Sequence, residues 1–307
     1  MHPFRFAVQQ GSAASRDAWA AIARRAESLG YDMLVMPDHL GRQLSPFAAL
    51  AAAAAATTRL RIGAFVFAND YRHPLILARE AATLDFLSGG RFEMGLGAGW
   101  MMGDYRQLGM TYDPAPRRID RLEEAIPLLK RLLTGETVTH RGEHYQLDGA
   151  SIGMEPVQKP RPPLAIGGGG PRMLKLAARE AEIVGLVPGF DAHGRVHLRQ
   201  ATETATADKI ALLRDAAGDR FELLEINLWL GDAGLVGSGT SLLGSVAAAA
   251  RWAPTAIYGS PYVLYGTLGS ARDRLLRRRD RLGISYYTVP SHAMESMAPL
   301  VEALTGK

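Results

Sequence analysis

The sequence predicts a (β/α)8 TIM barrel with a hairpin and proline-rich insertion after the fourth βα unit. Three observations carry that expectation. Short β-rich runs alternate with long helix-forming ones, the strands number eight, and the rhythm breaks between residues 137 and 163 before resuming. A doubly wound sheet would also alternate, but the count of eight and the single insertion favour the barrel. A chain of 307 residues is an ordinary length for one such unit, so residues 1–307 are expected to form a single domain.

Each element has a local reason. The first strand is expected over Phe4 to Gln9, and Ser15 suits the N-cap of a helix from Arg16 to Leu29. Gly30 ends that helix, and Tyr31 to Met36 is the second strand. An alanine-rich helix over Pro46 to Thr58 precedes a strand at Arg61 to Phe67. Pro74 fits the first turn of the next helix, which runs to Leu87. Ser88-Gly89-Gly90 turns into the strand Phe92 to Leu96, and an irregular segment leads to a helix from Arg117 to Leu133. "TVTHRGEHYQL" reads as a hairpin turning at Arg141-Gly142, and "EPVQKPRPP" as an extended connector. Strand Leu164 to Ile166, helix Pro171 to Ala181, strand Ile183 to Val187 and a helix over Thr204 to Ala216 restore the alternation. Strand Leu223 to Leu230, an alanine-rich helix, the arginine-rich helix Ser270 to Leu282, strand Ser285 to Val289 and helix Ala298 to Leu304 complete it.

Composition narrows the function. Lys plus Arg (35) barely exceeds Asp plus Glu (31), and the densest basic cluster, "RDRLLRRRDR", is interrupted by Asp273 and Asp280. That pattern is a solvated helix face rather than a basic stripe with interleaved aromatics, so nucleic acid is not an expected partner. The absence of cysteine excludes disulfides, thiolate metal sites and cysteine nucleophiles. The N-terminus lacks the layout of a secretion signal, and the longest uncharged helical stretch is too short to span a bilayer. No membrane partner is expected, and the expected location is cytoplasmic. His193 and His197 share a metal-ligand spacing but lack the glutamate of a zinc protease motif, and His140 and His144 flank a turn. No metal site is expected, and no G-x-S-x-G elbow occurs.

"LVMPDHL" (residues 34 to 40) places Asp38 and His39 at the tip of the second strand. In a barrel, that end carries the catalytic loops. Pro37 breaks the strand alternation, so His39 can face the centre while Asp38 braces it as a proton donor and acceptor. A surface turn in which Asp38 caps the alanine helix fits the dipeptide equally well. Two glycine-rich stretches also follow strands: "GLGAGW" (95–100) and "IGGGGPRM" (166–173). The second opens a helix, where backbone N–H groups and the helix dipole suit an anion, with Arg172 adding charge nearby. A plain tight turn is the alternative.

The ordered series "YDMLVMPDH", "RIGAFVFANDYRHPLILAREAATLDFLSGGRFEMGLGAGW", "RLEEAIPLLKRLLTGETVTHRGEHYQL", "PPLAIGGGGPRMLKLAAREAEIVGL" and "LGISYYTV" resembles the bacterial luciferase-like superfamily. Within it, the chain is most similar to oxidoreductases that use the deazaflavin coenzyme F420. The likeness runs across nearly the whole chain and is weakest between about 190 and 255. It implies that Asp38 and His39 lie beside the reactive carbon of the cofactor ring, with Asp38 orienting His39. It also implies a non-proline cis peptide at Phe65-Val66 behind the ring, with Ala68 and Asn69 nearby. Gly97, Ala98 and Gly99 would contact the ring, and Gly168, Gly169 and Gly170 the cofactor phosphate. Phe67, Trp100 and Met101 would shape an apolar substrate wall. Sugar-phosphate-oxidising members carry a catalytic glutamate where this chain has Trp100, a departure that points away from sugar phosphates. The implied activity is hydride transfer between the deazaflavin C5 and a small organic substrate, above all reduction of a C=C or C=N bond, by a homodimer. An FMN-dependent monooxygenase and a non-catalytic flavin-binding barrel are the alternatives.

Overall fold

The computed structural model describes residues 1–236 and 260–307. Strand β1 (Arg5–Gln9) is followed by helix α1 (Arg16–Ser28), whose Ser15 hydroxyl accepts from the Ala18 N–H at 3.1 Å. Strand β2 (Met33–Met36) leads to α2 (Pro46–Ala55), and β3 (Arg61–Ala64) with its short continuation β4 (Phe67–Ala68) leads to α3 (Pro74–Leu87). The alanines of α2 let its neighbours approach closely, and buried Trp19 of α1 donates its indole N–H to the Ala49 carbonyl at 2.7 Å. Strand β5 (Phe92–Gly97) precedes α4 (Met102–Gln107) and α5 (Ala115–Leu133). The antiparallel pair β6 (Val138–Arg141) and β7 (Gln146–Ala150) follows. Its turn is tied to α5 by Glu124, which accepts from the His144 and Tyr145 N–H groups.

Strand β8 (Leu164–Gly168), α6 (Pro171–Glu180), β9 (Ile183–Leu186), α7 (Glu203–Ala217) and β10 (Glu225–Trp229) resume the alternation. A parallel pair, β11 (Asp232–Leu235) and β12 (Val263–Gly266), lies outside the barrel. Then come α8 (Leu268–Leu282), β13 (Ile284–Pro290) and α9 (Met294–Leu304). All barrel neighbours pair in parallel, β1 between β13 and β2, and β3 reaches β5 to complete the circle.

Alternation along each strand sorts the side chains. Phe6 and Val8 of β1 pack outward in the main core, whereas Ala7 points into a smaller cluster inside the barrel with Met33, Val35, Ala165, Ile183 and Tyr286. Below that cluster sits a charged layer. Arg5 bonds Glu225 and Glu93 at 2.6 Å each and lies 4.6 Å over the Tyr286 ring, while Arg61 reaches Glu93 at 2.5 Å. Burial works against the Arg5 charge, yet Glu93 and Glu225 together hold its pKa above the ordinary range. This layer seals the N-terminal end of the barrel and leaves the opposite end for chemistry.

Three differences from the sequence expectation matter. The strand expected over residues 61–67 is broken at Phe65-Val66, whose peptide bond is cis. The segment read as irregular after β5 contains α4. The basic cluster on α8 is partly committed to carbonyl oxygens: Arg278 to Pro261 and Arg279 to Lys307. The alanine-rich helix expected after β10 lies outside the described residues. Among the described residues, no helix is long and apolar enough to cross a membrane.

The charged layer yields a stability prediction. Arg5→Met strips Glu93 and Glu225 of their shared cation and should lower the unfolding free energy by about 3–5 kcal/mol in urea titrations. A loss under about 1 kcal/mol would show that the layer does not hold the barrel end together.

Candidate active site

A cavity of about 370 Å³ opens at the C-terminal ends of the strands. Its inner wall is built from the Phe65-Val66 segment. Val66 packs against glycines of two strands: a Cβ on Gly97 would fall 2.5 Å from its side chain, and one on Gly167 at 2.8 Å. Phe65 fills the space over Gly185, where a Cβ would meet its ring at 2.5 Å. Only glycine permits so close an approach. The far end of the segment is fixed by the Ala68 N–H, which donates to Asp38 at 3.0 Å.

Asp38 and His39 both line the cavity, but their carboxylate–imidazole contact does not form. Asp38 is 6% exposed and accepts from Ala68 and from two nitrogens of Arg72, at 2.5 and 3.1 Å. The imidazole is held instead by Asp104 of α4, with Nδ1 2.7 Å from Oδ2. Asp104 also receives the Leu40 N–H at 3.1 Å and the Tyr71 hydroxyl at 3.1 Å. Three donors converge on one carboxylate, so it acts as acceptor and His39 Nδ1 as donor. The expectation that Asp38 orients His39 is therefore corrected. The reason is geometric: after Pro37 the chain turns, and Asp38 faces the β3–β4 segment while His39 faces α4. Burial and the adjacent Asp104 raise the Tyr71 pKa, keeping the hydroxyl protonated as a donor.

Gly168, Gly169 and Gly170 line the cavity where α6 begins, with Gly170 at the N-cap and Pro171 at N1. Gly170 has open space beside it, whereas Gly169 presses against the Val187 carbonyl oxygen. Lys209 of α7 sits behind this turn and donates to the carbonyls of Val187 (2.9 Å) and Gln200 (3.2 Å). Burial lowers its pKa to about 8. Arg172, read from sequence as charge near the turn, is bound instead to Asp120 at 2.6 Å and to Glu123. The cation that does line the cavity is Arg118, near the start of α5.

Trp100 forms part of an aromatic wall. It meets His39 edge-on with ring centroids 5.2 Å apart and stacks on Phe190 at 5.1 Å; Phe190 meets Trp229 at 5.6 Å. Trp229 donates to the Gln9 side chain at 2.8 Å. Gly97, Ala98 and Gly99 line the cavity as well. Three expected site residues do not. Phe67 is fully buried outside the barrel, stacked 4.5 Å from Phe47, because the break at Phe65-Val66 reverses the strand alternation. Met101 is the N-cap residue of α4, beyond the cavity wall. Asn69 is buried and donates to the Tyr145 hydroxyl at 2.9 Å, bracing the β6–β7 hairpin.

Asp104, Arg118, Phe190 and Trp229 went unnoticed in the sequence. Asp104 and Arg118 follow the glycine loop after β5, on α4 and near the start of α5, and the sequence carries no signal that separates them from surface charges. Phe190 lies on the loop after β9, where it bridges to Val196, and His193 and His197 stand exposed on the same loop.

A sequence profile for luciferase-like monooxygenases matches residues 1–210. The chain belongs to that family. It is 36% identical over 165 residues to an F420-dependent glucose-6-phosphate dehydrogenase of Microbacterium testaceum, covering 51% of this chain and 48% of that one. It is 37% identical over 150 residues to a 4-hydroxyprotoasukamycin monooxygenase of Streptomyces nodosus, covering 47% and 40%. The chain thus spans about half the length of the curated relatives it matches. The F420-dependent tetrahydromethanopterin reductase of Methanopyrus kandleri superposes with a TM-score of 0.79 at 17% identity, covering 98% of this chain and 99% of that one, which establishes the shared barrel fold.

The two aspartates should behave differently when removed. Asp38→Ala leaves half-buried Arg72 short of its main partner and frees the Ala68 end of the inner wall, so unfolding free energy should fall by about 3 kcal/mol. His39→Ala, at a partly open cavity edge, should cost about 1 kcal/mol or less. Equal losses for the two in urea unfolding would contradict this division.

Proposed function

We propose that this chain is a coenzyme F420-dependent oxidoreductase that exchanges a hydride with a small, planar, apolar organic substrate, acting above all in the reduction of a C=C or C=N bond. The observation that carries this reading is His39, tied at Nδ1 to Asp104 with Nε2 left facing a largely apolar cavity. The residues present fit the cofactor. Val66 and Phe65 offer an apolar back wall, Gly168 to Gly170 open a helix N-terminus into the cavity, and an arginine whose Nε has no acceptor lines the same cavity. When bound, the deazaflavin accepts or delivers hydride at its ring C5. His39 supplies or removes the accompanying proton at Nε2, and Asp104 stabilises the imidazolium and fixes its tautomer. Trp100, Phe190 and Trp229 exclude water and hold a conjugated group flat against the reacting face.

The wall also argues about substrate class. An indole packs or donates one hydrogen bond, and neither action takes a proton from a sugar hydroxyl. The relatives' activities include sugar-phosphate oxidation and monooxygenation, so the choice rests on the residues at Trp100. An FMN-dependent monooxygenase is the second reading, favoured by the Streptomyces relative. A homodimer and a cytoplasmic setting belong with the proposal. For the dimer, Ile76 and Leu87 of α3 are exposed along a groove shared with Ala51 of α2.

Fluorescence titration with F420 and FMN separates the two readings, with F420 expected to bind more tightly. His39→Ala should lower turnover by roughly 100-fold at saturating substrate with cofactor affinity little changed. A panel of enones, cyclic imines, secondary alcohols and sugar phosphates should respond in the unsaturated substrates. Efficient oxidation of glucose 6-phosphate would overturn the argument from Trp100.

A further inference from the structure

We infer that Arg118 is a phosphate-binding residue, the single Lys or Arg side chain in the lining of the cavity that would hold the phosphodiester of the cofactor; the assignment rests on the deazaflavin reading above. Arg118 is 5% exposed and is the one Lys or Arg among the described residues lining the cavity. A buried guanidinium is normally matched by a carboxylate. This one has no carboxylate at ion-pair distance among the described residues; Asp113, which feels its charge, is itself bound to Arg121. Its hydrogen bond runs from Nη1 to the Asp113 carbonyl at 2.5 Å, its plane lies 4.4 Å over the Tyr112 ring, and its Nε has no acceptor. The protein thus places a desolvated positive charge in the lining of the cavity that Gly168 to Gly170 also line, and holds no carboxylate at ion-pair distance from it among the described residues.

Other charges nearby are already committed. Arg172 is neutralised by Asp120 and Glu123. Lys209 gives its protons to the Val187 and Gln200 carbonyls and to the Tyr262 hydroxyl at 3.5 Å, behind Gly169 rather than in the wall. One unpaired cation and the start of α6 remain. The helix end contributes roughly half a charge through its free N–H groups, on the usual macrodipole figure. That sum, about +1.5, is enough to neutralise the one negative charge of a phosphodiester, as in the linker of F420.

Two probes test this: F420 and its fragment ending at the ribityl chain without the phosphodiester. Dissociation constants come from fluorescence, and melting temperatures are taken on the ligand-free protein. Arg118→Met should weaken F420 by about 10- to 100-fold, the loss expected for a charged hydrogen-bond partner, and leave the fragment within about twofold. Arg118→Lys should recover part of the loss. Gly170→Asp provides a test that does not disturb the core, since the space beside Gly170 is open. An aspartate there caps α6, so the melting temperature should hold or rise while F420 affinity falls by about tenfold or more. Equal weakening of F420 and fragment in Arg118→Met, or unchanged F420 affinity in Gly170→Asp, would overturn the assignment alone. Wild-type protein that binds neither deazaflavin would overturn the cofactor reading and this assignment with it.

Discussion

The site depends on how the Phe65-Val66 segment is seated. Its two side chains occupy the upper interior of the barrel, and they fit because Gly97, Gly167 and Gly185 present no Cβ there. A barrel interior is normally filled by side chains from alternate strands. Here one segment supplies the filling that several strands omit, and the cavity above it is the space left over. Asp38 completes the arrangement by accepting from Ala68 and pairing with Arg72. Its carboxylate is thereby committed to architecture. The imidazole next to it must then find another partner, and α4 provides it in Asp104.

This division explains why adjacent residues in the sequence act apart in space. A charge at the end of β2 serves the wall, and the ring beside it serves the cavity. Tyr71 and the Leu40 N–H, converging on the same Asp104, hold that carboxylate in one orientation, so the imidazole tautomer is set before any ligand arrives. The edge-on contact of His39 with Trp100 links the proton-bearing ring to the aromatic wall. A change in the wall would therefore shift the base as well as the pocket.

Much of this was legible in the sequence. The barrel followed from the alternation of periods, and Asp38 and His39 stood out because a strand tip has no packing use for them. The glycines stood out as well, although which of them face open space and which face backbone needed coordinates. Phe67 was misplaced for a physical reason: a continuous strand from Arg61 would point it to the same side as Phe65, and the break after Ala64 reverses that alternation. Met101 and Asn69 adjoin the wall residues Trp100 and Ala68 in sequence, but neither side chain lines the cavity. Asp104 and Arg118 were hidden because a buried charge looks like a surface one until its partners are known. Phe190 and Trp229 lie where the likeness to the family fades.

The central claim is that Asp104, rather than Asp38, fixes the His39 ring with its proton on Nδ1. Long-range ¹H–¹⁵N correlation spectra of the histidine-labelled protein report that tautomer directly. Wild type and Asp38→Asn should both show the Nδ1–H form for His39, with Asp104→Asn losing it. A tautomer that survives Asp104→Asn and changes in Asp38→Asn would contradict the account.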